Sequence, residues 1–94
     1  MDFLDITAKG GETGFRMEGI QVMPGSSLIN KTLLDSHIRD KLGLNIIAMK
    51  RSNGELVTNP EGTTQIMAGD VLITVGVAKA LGKLEELSNN EEIV

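Results

Sequence analysis

Four basic residues stand where an anionic ligand could be met: Arg39 and Lys41 close one periodic apolar stretch, and Lys50 and Arg51 close the next. Arginine suits a phosphate because its planar fork donates two parallel hydrogen bonds to one oxyanion. Scattered basic residues are more commonly a solvated face, so the cluster alone does not define a site. Other chemistries have less to draw on. His37 is the only histidine, which rules out a metal site built from several imidazoles. A Ser-His-carboxylate arrangement through Ser26 or Ser36 lacks the nucleophile elbow that would make either serine reactive, and a lone histidine reads first as a surface or boundary residue. The chain carries 13 acidic residues, yet no D-x-[DN]-x-[DN]-G loop that would wrap calcium. The stretch GGETG at 10–14 matches neither the Walker pattern nor G-x-G-x-x-G and reads as a flexible turn. No catalytic residue and no metal ligand is expected.

The elements that would position the basic residues can be read from periodicity. From Phe15 the chain alternates, with Phe15 and Met17 on one side of a strand, until Gly19 shifts the phase and Ile20 and Val22 carry it on, so a β-bulge is expected at Gly19. Pro24-Gly25 ends that strand. Leu33, Leu34, Ile38 and Leu42 then recur at helical spacing, with Thr32 and Asp35 as a capping pair and Gly43 as the stop. NIIAMKR follows as a strand apolar on both faces, with Ile46 and Ala48 on one side and Ile47 and Met49 on the other. Asn53-Gly54 supplies a type I′ turn into the returning ELVTN, which Asn59-Pro60 ends. A polar connection holding Ile66 and Met67 leads through Gly69-Asp70 to VLITVGV, also expected to be buried on both faces. A last helix from about Ala78 places Leu81, Leu84 and Leu87 inward. The methionines Met17, Met23, Met49 and Met67 read as core or interface filler. This is an α+β arrangement in the order β-α-β-β-β-α, a mainly antiparallel sheet with two short helices on one side.

Composition bounds the function. At 94 residues the chain is one small domain, large enough for a single core. Its net charge of -4 offers no broad attraction for a phosphate backbone, and with no Trp, no Tyr and only 2 Phe it has no stacking platform for bases, so nucleic acid is not an expected partner. The absence of cysteine excludes disulfide scaffolds and thiolate sites and fits a cytoplasmic setting. No apolar run approaches the ~20 residues that direct membrane insertion requires. Residues 1–14 read as a linker from something upstream, 15–88 as the globular domain, and 89–94 as a flexible tail. Two apolar-faced central strands leave more hydrophobic surface than two short helices cover, which favours a homodimer.

The string PGSSLINKTLLDSHIRDKLGLNIIAMKRSNGELVTNP, followed by AGDVLITVG, resembles the TrkA-C domain, the C-terminal lobe of the RCK regulatory subunits of potassium channels and transporters. The likeness spans about residues 15–88, and its motifs are loose singly but specific together: G-S-x-L, K-T-L, I-R leading into G-x-N-I-I-A-x-K-R, N-P and A-G-D-V-L. It implies a cytoplasmic ligand-sensing domain of a parent protein at the cell membrane, acting as a homodimer and joined to an upstream RCK nucleotide-binding lobe and a channel or transporter. The alternative is a structural dimerisation module without a ligand of its own. Some members bind cyclic di-AMP in a cleft at the dimer interface. The matching positions are Ile38 and Arg39 at the helix end, Asn45 and Ile46 at the strand start, and Pro60 after the return strand. The resemblance implies Arg39 toward phosphate, Asn45 toward phosphate or base, and the aliphatic residues against adenine. Such binders also use a later histidine, and this chain has none after His37.

Overall fold

The structure, a computed structural model, describes residues 14–89; most of the expected linker and all but the first residue of the expected tail lie outside the described residues. Four strands form one antiparallel sheet in the order β1-β4-β2-β3. They are β1 (Phe15–Gln21), β2 (Asn45–Lys50), β3 (Leu56–Thr58) and β4 (Val71–Val77). Three helical segments, α1 (Leu33–Ser36), α2 (Ile38–Leu42) and α3 (Ala78–Asn89), pack on one face of it. The core lies between the layers and includes Ile20, Val22, Leu33, Ile38, Met49, Leu72, Leu81 and Leu84. Each such side chain, once fully buried, contributes about 1.5–3 kcal/mol from the loss of apolar surface to water.

β1 pairs with β4 in an unbroken register from Phe15↔Val77 to Gln21↔Val71, so the bulge expected at Gly19 is absent. The backbone alternation never slips; the apolar residue types change sides. Met17 sits on the open face, 50% exposed, while Ile20 and Val22 face the core. The register shift falls in β2 instead, between Ile46, opposite Thr74, and Ala48, opposite Ile73. Ile47 is the extra residue, and Met49 therefore joins Ile46 on the core side while Ala48 faces away.

The helix expected from Leu33 to Leu42 is two short segments. Thr32 caps α1 as expected, its Oγ1 accepting from the Asp35 backbone N–H at 3.1 Å. At His37 the backbone enters the left-handed region, φ 59°, which ends α1 and starts α2. Ser36 holds the break: its hydroxyl donates to the Leu33 carbonyl at 2.6 Å and accepts from the Ile38 N–H at 3.2 Å, the local competition with helical bonding that serine offers. The gain is in packing. On a continuous helix Leu33 and Ile38, five residues apart, would point about 140° apart, yet both are buried.

The hairpin between β2 and β3 also differs from the type I′ expectation. Gly54 has positive φ and Asn53 does not. The Gly54 N–H donates to the Arg51 carbonyl at 2.9 Å and the Arg51 N–H to the Glu55 carbonyl at 2.8 Å, the pattern of a turn closed by a left-handed glycine bulge. Asn53 acts through its side chain, whose Oδ1 accepts from the Glu55 N–H at 2.9 Å. In α3 the inward positions are Leu81, Leu84 and Ser88, with Leu87 partly exposed, because residue 88 returns closer to the direction of 84 than residue 87 does.

β4 is not buried on both faces within one chain. Leu72, Thr74 and Gly76 face the core, whereas Val71, Ile73 and Val75 are half-buried and Val77 is exposed. The methionines divide in the same way: Met49 is buried, and Met17, Met23 and Met67 are exposed.

Candidate functional site

The break at His37 sets the first wall of a cleft, because it turns α2 so that Ile38 is buried beneath while Arg39 and Asp40 stand at the opening. Gly43, with φ 70°, stops α2, and Leu44 then crosses over the sheet into β2. The opposite wall comes from the connection after β3. That segment runs back alongside residues 30–34: the Leu33 N–H donates to the Thr64 carbonyl at 2.9 Å, the Leu34 N–H to the Gly62 carbonyl at 3.0 Å, and the Asn30 N–H to the Ile66 carbonyl at 2.7 Å. Residues far apart in the chain thus meet around one concavity of about 150 Å³. Leu33, Leu34, Ile38, Leu44, Ile46 and Pro60 give it apolar walls, Gly62 a backbone edge, and Arg39 and Asp40 its charge.

Four of the five residues expected at a site, Ile38, Arg39, Ile46 and Pro60, line this cleft. The fifth, Asn45, joins through its side chain: Arg39 Nη2 donates to Asn45 Oδ1 at 3.5 Å. Arg39 therefore leans over the start of β2 with a polar neighbour and no carboxylate within ion-pair distance among the described residues. Asp40 is held from the other side, both its carboxylate oxygens lying near His37 Nδ1, at 3.1 and 3.3 Å. That hydrogen bond is the main cause that keeps the Asp40 carboxyl below the usual carboxylate range. Chemically, the cleft can take a flat apolar group between aliphatic walls and an anion at Arg39.

The other basic residues of the cluster do not join it. Arg51 is spent on structure, its Nη1 donating to the buried Asp70 Oδ2 at 2.7 Å and to the Gln65 carbonyl at 2.8 Å. Asp70 Oδ2 also accepts from the Met67 N–H at 2.8 Å. Lys41 and Lys50 are exposed away from the lining. Sequence reasoning missed Leu33, Leu34, Asp40, Leu44 and Gly62 as lining residues. None of these left a signal of its own: Leu33 and Leu34 read alike in the helical pattern, and only the structure separates them, Leu33 buried and Leu34 69% exposed. Among the described residues no group of acidic residues and histidine is arranged to hold a metal ion, and no helix is long and apolar enough to cross a membrane.

The chain is similar in sequence and in fold to known proteins. The "Ktr system potassium uptake protein C" of Bacillus subtilis is 36% identical over 67 residues, which is 71% of this chain and 30% of that protein; the chain thus spans under a third of that relative's length. Among solved structures, the RCK_C domain dimer of Streptococcus agalactiae BusR in complex with c-di-AMP superposes with a TM-score of 0.70 at 20% identity, covering 78% of this chain and 95% of that one. The RCK C domain of the potassium transport protein KtrA, in complex with cyclic diadenosine monophosphate, gives a TM-score of 0.69 at 24% identity, covering 84% of this chain and 89% of that one. The sequence model of the TrkA-C domain matches residues 17–89, and with that match over most of its length the chain belongs to the TrkA-C domain family.

Proposed function

We propose that this chain is a cytoplasmic ligand-sensing domain of a potassium channel or potassium/cation transporter, working as a homodimer whose ligand is cyclic di-AMP. The observation that carries the reading is the convergence of Arg39 and Asn45 over the aliphatic walls Ile38, Ile46 and Pro60, the pairing a nucleotide needs of anion contact and apolar slot. KtrA and BusR domains of the same fold hold this dinucleotide. A concavity of about 150 Å³ is smaller than the roughly 300 Å³ at which sites for drug-sized ligands begin. One copy therefore accommodates part of a cyclic dinucleotide, and a second copy meeting it across the exposed Leu34 at the cleft mouth completes the site. Ligand held by two copies favours the closed pair over the open one, and that difference in affinity is the signal passed to the parent protein. The role is regulatory, with no reaction assigned to it.

The test is calorimetric titration of cyclic di-AMP into the purified chain. One ligand per two chains is expected. Arg39→Ala removes a charge-assisted hydrogen bond and should weaken binding roughly tenfold to a hundredfold, while sedimentation still reports a dimer. Saturable binding that ignores both Arg39→Ala and Asn45→Ala would place the ligand elsewhere.

A second reading, a structural dimerisation module with no ligand of its own, is favoured by the open sheet face. Met17, Val77 and Leu56 are each about half exposed there, beside the half-buried Val71, Ile73 and Val75. The two readings use different surfaces. Ile73→Lys on the sheet face would dissociate an assembly module, whereas Leu34→Lys at the cleft mouth would dissociate the sensor.

A further inference from the structure

The two charged residues of the cleft lining, Arg39 and Asp40, are neighbours on α2. The other lining residues, Leu33, Leu34, Leu44, Ile46, Pro60 and Gly62, are uncharged. Asp40 is not a free side chain swinging in water: the His37 imidazole, turned toward it by the left-handed backbone at the helix break, holds it at 3.1 Å. The same hydrogen bond depresses its carboxyl below the usual range, so it stays ionised throughout neutral pH. An anion that pairs with Arg39 therefore enters the field of a carboxylate fixed on the adjacent residue.

We propose that Asp40 is a specificity-determining residue of this cleft, a charge filter that admits singly charged phosphodiesters and disfavours doubly charged terminal phosphates. The proposal rests on the nucleotide reading of the cleft and says which class of nucleotide it takes. A unit ligand charge about 6 Å from the carboxylate, in water-like surroundings, binds roughly threefold more weakly than without it. A terminal phosphate carries about 1.5 to 2 charges near pH 7, against a single charge on a diester. The filter is therefore worth roughly two- to threefold between a diester and a monoester of the same nucleoside, and more as salt is lowered.

The matched probes are adenosine 3′,5′-cyclic monophosphate and adenosine 5′-monophosphate, which share base and sugar and differ in phosphate charge. Each is titrated at low ionic strength against cyclic di-AMP bound to the chain, in wild type, Asp40→Asn and Asp40→Lys. The Asp40 side chain is 65% exposed, so neither substitution disturbs the core. The ratio of the two dissociation constants should narrow roughly two- to threefold in Asp40→Asn and move further the same way in Asp40→Lys. A merely structural role would shift both nucleotides alike. If the nucleotides bind and their ratio is the same in all three proteins, the filter is overturned and the nucleotide site stands. If neither they nor cyclic di-AMP binds wild type, the nucleotide reading fails and takes the filter with it.

Discussion

Gly76 on β4 lies directly under Leu44, and a Cβ built at Gly76 would stand 2.2 Å from Leu44 Cδ2, 3.5 Å from its Cγ and 3.7 Å from its Cα. Gly76→Ala therefore leaves the Leu44 backbone where it is and forces the end of its side chain to move. Leu44 is 1% exposed and lines the cleft, so the displaced end of its side chain moves at the site. Overpacking of this kind costs about 1–3 kcal/mol, offset by the roughly 0.5–1 kcal/mol that alanine gains over glycine within a strand. The net expectation is a loss of about 0–2.5 kcal/mol, and a loss of about 1 kcal/mol in a domain of this size lowers Tm by roughly 4–8 °C. Leu44→Ala alone should cost about 2–5 kcal/mol through the cavity it opens. In the double variant the added methyl meets no Cδ2, so the combined loss should fall short of the sum by about 1–3 kcal/mol, a coupling well above the scatter of independent sites. The assay is urea unfolding at one fixed protein concentration, since any association would otherwise shift the midpoint. If the two losses simply add, Leu44 does not cross β4 at this glycine and does not floor the cleft.

Two further perturbations probe parts of the fold that support the site. Asp70→Ala removes a buried carboxylate that binds Arg51 and the Met67 N–H; because the Arg51 side chain keeps 23% exposure and its bond to Gln65, the loss should sit at about 2–3 kcal/mol, below the usual cost of stranding a buried partner, and appear as a lower urea midpoint with an unchanged slope. Ser88 Oγ is buried without a hydrogen-bond partner among the described residues, so Ser88→Ala should raise stability by about 1 kcal/mol, combining relief of that unpaired group with better helix propensity. A fall in Tm for Ser88→Ala would mean that the hydroxyl is satisfied after all.

The expected site residues came together partly because of where they fall in the chain. Ile38, Arg39, Asn45 and Ile46 lie within nine residues, and a helix end leading directly into a strand keeps such neighbours close whatever the rest of the molecule does. Pro60 is different. It reaches the cleft because residues 62–66 hydrogen-bond to residues 30–34, a pairing between a loop and the lead into α1 that carries no periodic signal. Asp40 and His37 sit within the same short stretch, yet their contact depends on the left-handed turn at His37, a conformation that histidine tolerates better than most residues but that its presence does not announce. The apolar periodicity of Leu33, Leu34, Ile38 and Leu42 looks the same whether the helix is continuous or broken.

Local chemistry in the sequence determined the order of strands and helices, the Thr32 cap and the Gly43 stop, because each depends on groups a few residues apart whose interactions form wherever the segment lies. Tertiary structure alone decided the strand order β1-β4-β2-β3, the shift at Ile47, the capture of Arg51 by Asp70 and the placing of Gly76 beneath Leu44. Those depend on which partner each strand finds. That choice is made by the summed burial of the whole core, to which no single stretch of sequence holds the answer.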